Sequence, residues 1–226
     1  VKGSDFQLGH EYVYDVLRMS SFVSVHDANK AASEVVKQGD NPRLSGLIYP
    51  IMQNIDEIYL EADAQLGGTD QRKIMVLARE NLPKIGYNPR VEIINPLVPG
   101  LIGKKMSASD EKSKIDLLDD EKTIQEKLKN ADMVAGNIDN GVMAFLKYVI
   151  MPIKQDRGKH FIVQRSVKYG GDIKYKNYGE VERDFKSKKL HPLDLKTAVA
   201  REISAMLIPI QKKKRELEKL AKLAYG

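Results

Sequence analysis

Between Glu57 and Pro96 the residue pattern changes period twice, and this change limits the fold more than any other stretch. Glu57 to Leu66 mixes β-branched and aromatic residues with acidic ones and stops at Gly67-Gly68. That composition predicts a strand feeding a tight glycine turn. Asp70 to Leu82 then carries Ile74, Leu77 and Ala78 at helical spacing, which predicts a helix with those three side chains inward. Arg90 to Pro96 returns to strand character. Two strands joined by a helical crossover rather than a hairpin run parallel. The expected class is α/β with a parallel sheet.

The flanks read as helical. Leu8, Tyr12, Val16 and Met19 fall at helical spacing, and Val13 and Leu17 widen the stripe. Asp27 is placed to cap a second helix through Ala31, Val35 and Val36, and Asn41-Pro42 breaks that pattern. Leu47 to Met52 opens a third helix, with Pro50 expected in its first turn, where a missing N–H has no partner. Pro96 to Lys114 is a loop rich in Pro, Gly, Ser and Lys. Beyond it Ile124 and Leu128 pair at i, i+4. Val142, Phe145, Leu146, Val149 and Ile150 form a strong stripe, as do Ile203, Leu207 and Ile210, with Pro209 near the end. Phe161 to Tyr178 alternates around Gly170-Gly171 and predicts a hairpin. After Gln211 the chain predicts a basic amphipathic helix with Leu217, Leu220 and Leu223 on one side. The boundary is expected near 110–120, giving an α/β domain over 1–115 and a mainly helical domain over 116–226.

Composition narrows the chemistry. The chain has 226 residues, of which 42% are hydrophobic, enough for packed cores. Cysteine is absent, which excludes disulfides, thiolate metal sites and cysteine nucleophiles. His10, His26, His160 and His191 are too dispersed for a local zinc motif, so no metal site is expected. No apolar run is long enough to span a membrane, and no signal-peptide pattern opens the chain. An intracellular, soluble protein is expected. The formal net charge of +6 permits a polyanionic partner without requiring one.

Three constellations carry chemistry. Tyr49, Gln53 and Asp56 stand at i, i+4 and i+7, which puts a phenol, an amide and a carboxylate on one helical face. That face suits a pocket for a small ligand bearing an ammonium and a hydroxyl; a solvated face satisfies the spacing equally. Gly67-Gly68-Thr69-Asp70-Gln71-Arg72-Lys73 allows close backbone approach just before a helix N-terminus, which favours anions. An ordinary turn accounts for the two glycines as well. Gly103-Lys104-Lys105-Met106-Ser107-Ala108-Ser109 offers cations and hydroxyls suited to nucleotide phosphates, or a solvated loop.

Lys105-Met106-Ser107-Ala108-Ser109 resembles the signature loop of class I aminoacyl-tRNA synthetases, in which the fourth residue is usually Lys or Ser. Leu47-Ile48-Tyr49-Pro50 through Asp56 resembles the tyrosine-binding helix of the archaeal and eukaryotic tyrosyl-tRNA synthetases. Gly67 to Lys73 resembles their diglycine turn, and Asn95-Pro96-Leu97-Val98-Pro99-Gly100-Leu101 matches the approach to the loop. The likeness continues through Lys168-Tyr169-Gly170-Gly171 and Leu190-His191-Pro192-Leu193-Asp194-Leu195-Lys196, so it covers essentially the whole chain.

The resemblance implies a partial Rossmann-type nucleotide-binding domain followed by an all-helical anticodon-binding domain. It implies a cytoplasmic, homodimeric ligase that joins L-tyrosine to tRNA(Tyr) with ATP as co-substrate and Mg2+ accompanying it. Tyr49, Gln53 and Gln71 would meet the α-amino group of tyrosine, and Asp56 its phenol. Gly68 and Asp70 would line the adenylate ribose, and Leu97 and Val98 the adenine. Lys105, Met106, Ser107 and Ser109 would bind ATP, with Lys105, Ser107 and Ser109 on its phosphates. Ala108 removes one cation or hydroxyl from this set. Tyr169, His191 and Asp194 would read the first anticodon base, a guanine, by stacking and a carboxylate acceptor. As an ordinary structural role, Asp194 would instead cap a helix from Leu195. Arg72 and Lys73 would reach the acceptor end of the tRNA.

The family's second signature, a histidine motif after an early strand, is not found; His10 precedes an amphipathic helix instead. The resemblance therefore implies that the first half of the Rossmann sheet is absent and would be needed as a partner. A fragment of a longer polypeptide is expected, rather than a natural partial copy. Residues 1–40 would belong to the insertion that supports dimer contacts. Two rivals stand beside the ligase: a catalytically silent RNA-binding or signalling relative, which would fit the missing motif, and a tryptophanyl enzyme, whose pocket has no use for Tyr49, Gln53, Asp56 and Gln71.

Overall fold

The computed structural model describes residues 1–36, 39, 41–103, 106 and 110–225. They form two compact units, Val1–Leu97 and Val98–Gly226. The fold is α/β, with a small parallel sheet in the first unit and a mainly helical second unit.

The first unit packs three helices around α3. Helix α1 (His10–Ser20) buries Tyr12, Val16 and Met19, and α2 (Val25–Ala32) buries Ala28, Ala31 and Ala32. Helix α3 (Leu44–Tyr59) contributes Ile51 and Ile55, and α4 (Arg72–Asn81) contributes Ile74, Leu77 and Ala78. The α1 stripe is narrower than expected. Val13 and Leu17 lie one position further round the helix and are exposed, as is Leu8 ahead of it. Ser24, not Asp27, caps α2. The Ser24 hydroxyl accepts from the Asp27 N–H at 3.1 Å and donates to the Asp27 carboxylate at 2.6 Å. Asp27 is thus the third-residue partner of the cap.

Two boundaries also move. Helix α3 starts at Leu44, so Pro50 lies inside it rather than in its first turn. The bond that proline withholds falls on the Gly46 carbonyl near the helix start. Glu57 to Tyr59 finish α3, and strand β1 is confined to Ala64–Gly68. Helical burial of Ile51 and Ile55 overrides the local β preference of Ile58 and Tyr59. Strand β2 (Val91–Asn95) pairs with β1 in parallel, with Ala64 opposite Val91 and Gly68 opposite Asn95. Leu66, Val91 and Ile93 share one exposed face of this sheet.

Asp15 ties the unit together. Its buried carboxylate accepts from the Tyr59 hydroxyl at 3.1 Å, the Tyr87 hydroxyl at 2.7 Å and Arg18 at 3.2 Å. Nearby, α3 buries Asn54 and Glu57, whose side-chain atoms meet no hydrogen-bond partner at normal geometry among the described residues. Burial pushes the Glu57 carboxyl up to about 7, against the pull of Gln65 and Arg90.

In the second unit α5 (Glu121–Lys129) packs on α9 (Pro192–Gln211). Ile124, Leu128, Val142, Leu146, Phe161, Phe185, Leu195 and Val199 form its core. Helix α6 (Gly141–Phe145) passes through a π turn at Leu146–Ile150 into α7 (Met151–Asp156). Pro152 lies just past that turn and has no N–H to donate back into it. The expected hairpin is present: β3 (Phe161–Val163) pairs antiparallel with β4 (Ile173–Tyr175). Gly170 and Gly171 hold positive φ angles of 92° and 72° between them, a region that favours glycine. Helix α8 (Tyr178–Lys186) and α10 (Lys214–Tyr225) complete the unit. The apolar edge of α10 is solvated at Leu220 and Leu223.

The packing break lies at Leu97–Val98, ahead of the 110–120 region that composition suggests. Leu101 is fully buried in the second core and Ile115 packs against it, so these two residues belong with the helices.

The Glu57 environment has a pH signature. Its carboxyl titrates near 4.5 when free and about 7 when folded, so stability falls as pH rises between those values and stays lower above them. Glu57→Gln removes the ionisable group. Relative to the unsubstituted chain, it is expected to gain on the order of 1–3 kcal/mol at pH 8 over its effect at pH 5. Urea unfolding at the two pH values checks this; an equal effect at both contradicts it.

Candidate active site

Helix α3 delivers three polar side chains to one side of the first unit. Tyr49 is exposed, and Gln53 and Asp56 are half-buried on the following turns. The Asp56 carboxylate is held from two directions. Its Oδ1 accepts from Gln7 Nε2 at 2.8 Å and from the Tyr12 hydroxyl at 2.7 Å. Among the described residues no donor reaches Oδ2. The Tyr12 hydroxyl also lies 3.1 Å from the Met52 carbonyl. Burial, with the Asp56 charge beside it, pushes the Tyr12 phenol well above its ordinary range, so Tyr12 stays a donor. Phe6, Tyr12 and Tyr59 pack ring to ring beneath this pair, with centroids 5.1–6.2 Å apart.

Gln53 reaches the other wall. Its Nε2 donates to Gln71 Oε1 at 3.1 Å, which joins α3 to the turn after β1. Gln53 Oε1 is buried and has no hydrogen-bond partner among the described residues. A buried acceptor left in this state favours a donor-bearing ligand.

Gly67 and Gly68 are the last residues of β1, not the turn itself, which Thr69–Gln71 make. Gly68 has φ −75°, so close approach of side chains rather than a left-handed backbone favours glycine here. A Cβ on Gly68 would stand 2.5 Å from Asp70 Oδ1 and 2.8 Å from Leu97 Cδ2. One on Gly67 would meet Met75 Cε at 2.8 Å. The glycines therefore bring Asp70 and Leu97 against the strand end. The helix after the turn begins at Arg72, whose side chain is exposed. Lys73 is tied to the end of α2, donating to Ser33 Oγ at 2.9 Å and Glu34 Oε1 at 2.8 Å. Hydrogen bonding to Lys73, and its charge, hold the Glu34 carboxyl below its usual range.

Val98 and Met106 are half-buried in the second unit. Lys105, Ser107 and Ser109 lie outside the described residues, as do Lys104 and Ala108. Among the described residues no group of three or more His, Asp and Glu side chains is placed to hold a metal ion. No described helix is long and apolar enough to cross a membrane.

Further along the second unit, Tyr169 is exposed at the turn between β3 and β4, with the Lys168 ammonium 5.7 Å from its ring centroid. His191 caps α9, its Nδ1 accepting from the Leu193 N–H at 3.2 Å. Asp194 therefore does not cap a helix from Leu195: α9 starts at Pro192 and places Asp194 within its first turn. Among the described residues its carboxylate has no side-chain or backbone donor.

Spacing gives neither Gln7 nor Tyr12 a place in the site. Tyr12 reads as one more member of an apolar stripe, and its partner lies 44 residues away. The legible signal is a phenol amid aliphatic stripe positions.

Comparison with known proteins gives the class. The family described as tRNA synthetases class I (W and Y) matches residues 1–208. The cytoplasmic tyrosine–tRNA ligase of Danio rerio is 50% identical over 228 residues, covering 100% of this chain and 42% of that protein. The chain thus spans less than half the length of this relative. The crystal structure of tyrosyl-tRNA synthetase from Archaeoglobus fulgidus, complexed with L-tyrosine, superposes with TM-score 0.79 at 40% identity, covering 95% of this chain and 66% of that one. The Pyrococcus horikoshii enzyme, also complexed with L-tyrosine, gives TM-score 0.84 at 28% identity, covering 98% and 67%. The chain belongs to the class I tRNA synthetases of the tryptophan and tyrosine family.

Packing at the strand end is directly testable. Gly68→Ala pushes the Asp70 carboxylate and the Leu97 side chain off the strand end; both are free side-chain ends, so stability is expected to change by less than about 1 kcal/mol, as at surface sites. Urea unfolding measures it; a loss of about 2 kcal/mol or more contradicts the mobility of these two side chains.

Proposed function

We propose that this chain is the tyrosine- and anticodon-recognising part of a cytoplasmic ATP-dependent tyrosine–tRNA ligase. The observation that carries the reading is the Asp56 carboxylate, anchored on Oδ1 by Gln7 and Tyr12 with Oδ2 left for a ligand hydroxyl. Gln53, with a buried unpaired Oε1, and Gln71 supply acceptors for an ammonium, and Tyr49 lies one turn before Gln53 on the same helix. Tyrosine carries both groups. Phenylalanine lacks the hydroxyl and would leave the carboxylate oxygen unpaired, which is costly once water is excluded. A tryptophanyl pocket has no need of this acid.

In the reaction, the tyrosine carboxylate attacks the α-phosphorus of Mg·ATP, pyrophosphate leaves and tyrosyl-adenylate forms. A ribose hydroxyl at the tRNA terminus then attacks the activated carbonyl and releases AMP. Neither step uses a protein nucleophile, so the residues act by positioning and by stabilising charge. Gly68, Asp70, Leu97 and Val98 are assigned to the adenylate. Met106 and the flanking Lys105, Ser107 and Ser109 are assigned to the departing phosphates. Tyr169 is assigned as a stacking plate and Asp194 as the guanine acceptor, with His191 three residues before Asp194. Arg72 and Lys73 are assigned to the acceptor end.

Two exposed apolar faces fit the larger assembly. Leu66, Val91 and Ile93 on the sheet offer a surface for the remainder of the catalytic domain. Val13, Tyr14 and Leu17 on α1 offer one for a second copy.

Tyrosine-dependent ATP–pyrophosphate exchange by the full-length protein tests the reading. Exchange with tyrosine supports it; tRNA binding without exchange supports the silent relative instead. Within the same protein, Asp194→Ala is expected to weaken tRNA charging about ten- to a hundredfold, the size of a lost hydrogen bond to a charged group, and to leave exchange nearly unchanged. Equal loss in both contradicts the placement of the anticodon site.

A further inference from the structure

Among the described residues, α3, α7 and α8 end on the same reversal, in which the residue after the C-cap takes a left-handed conformation. After α7, Gly158 holds φ 61°; its N–H donates to the Gln155 carbonyl at 3.0 Å and the Lys159 N–H to the Lys154 carbonyl at 2.8 Å. After α8, Lys188 takes that place at φ 62°. Its N–H donates to the Phe185 carbonyl at 3.0 Å and the Lys189 N–H to the Asp184 carbonyl at 2.9 Å. Glycine is the usual residue at this point, because a Cβ crowds the following carbonyl. Glu61 makes the same exception after α3. Lysine at 188 thus carries a strain that glycine would escape.

Charge sets Lys188 apart. Lys186 pairs with Glu182 one turn earlier, and Lys189 Nζ lies 3.7 Å from Asp184 Oδ2. Lys188 is exposed, and among the described residues no carboxylate pairs with it. Its stem is nonetheless directed. A Cβ on Gly136, itself at φ 86°, would stand 3.5 Å from Lys188 Cε and 3.7 Å from its Cγ. The stem therefore lies across the Gly136 α-carbon, with the ammonium beyond it in water. The chain then turns directly into α9. Leu190 is fully buried, its N–H donates to the Asp184 carbonyl at 3.1 Å, and His191 caps the helix. Lys188 thus stands three residues ahead of His191 and six ahead of Asp194, on a segment anchored at both ends.

We propose that Lys188 binds a backbone phosphate of RNA held at the start of α9. The proposal deepens the ligase reading and rests on its placement of RNA at Asp194. A carboxylate that reads a base repels the phosphates on either side of that base. An unpaired cation a few residues away in the chain offsets this repulsion. The left-handed backbone lays the lysine stem on Gly136 before RNA arrives, so less freedom is lost on binding. Phosphate contacts position an RNA and base contacts select it. Lys188 accordingly acts on RNAs of any sequence alike, and Asp194 on those that carry guanine.

The experiment measures the affinity of the full-length protein for an anticodon stem-loop RNA whose first anticodon base is guanine, and for the same RNA with adenine there, from about 0.1 to about 1 M salt. Lys188→Gly and Lys188→Asn remove the charge with residues that accept positive φ. Each is expected to weaken both RNAs about fivefold at about 0.1 M salt. Each is also expected to flatten the slope of log affinity against log salt by about 0.7, the value for one phosphate contact on a single strand. Their urea midpoints stay level or rise, because strain is relieved. Lys188→Arg keeps affinity and slope. Unchanged affinity and slope in both neutral variants overturn the contact, as does an arginine variant as weak as the asparagine one. Weaker binding with a lowered urea midpoint in both neutral variants marks a structural role and overturns it too. Equal affinity of the unsubstituted protein for the two RNAs, with the Lys188 dependence intact, overturns the base-reading site and leaves the phosphate contact standing. RNA affinity that depends on Lys188 in a protein without tyrosine-dependent pyrophosphate exchange overturns the ligase reading and likewise leaves the contact standing.

Discussion

The first unit depends on one carboxylate that is paired on a single oxygen. Gln7 and the Tyr12 phenol both spend their protons on Asp56 Oδ1. They come from the segment before α1 and from α1 itself, so the bonds that orient Asp56 also dock α1 on α3. Tyr12 is almost fully buried between Phe6 and Tyr59. Its hydroxyl would be costly there without an acceptor. In the proposed role, folding and ligand recognition would make the same demand on Asp56, because a rotamer already fixed by Gln7 and Tyr12 need not be ordered on binding.

The second unit follows a different logic. Its core is nearly all aliphatic and aromatic, while its polar investment goes into helix ends. Asp120, Asn140, Asn177 and His191 each cap a helix by accepting a backbone N–H, and Lys196 covers the open carbonyls at the end of α5. With His191 capping α9, the Asp194 carboxylate is released from any structural duty. A half-buried acid with no partner among the described residues, in a helix's first turn, is stabilised by the dipole there and remains available to donors from outside.

Much of this was legible in the residues. The strand–helix–strand order between 57 and 96, the inward set Ile74, Leu77 and Ala78, the parallel pairing and the Phe161–Tyr178 hairpin all follow from period and turn chemistry. The errors share a cause: local preference competes with tertiary burial. Ile58 and Tyr59 have strand character, yet α3 runs through them because Ile51 and Ile55 anchor its face. Asp27 is a good cap in isolation, but Ser24 stands three residues earlier and uses it as a partner. For the site, Tyr49, Gln53 and Asp56 could be grouped because they share one helix. Gln53 meeting Gln71 required the resemblance, and Gln7 and Tyr12 meeting Asp56 required the fold. Spacing within one element is visible in a sequence; a contact between elements 44 residues apart is not.

The claim beneath this account is that the open oxygen of Asp56 receives the phenol of the amino acid. A double-mutant cycle between protein and substrate addresses it directly: kcat/KM for pyrophosphate exchange with tyrosine and with phenylalanine, in the full-length protein and in its Asp56→Ala variant. The account predicts a strong preference for tyrosine that shrinks by about ten- to a hundredfold in the variant, the range for a hydrogen bond to a charged group. A preference left intact by the substitution would contradict it.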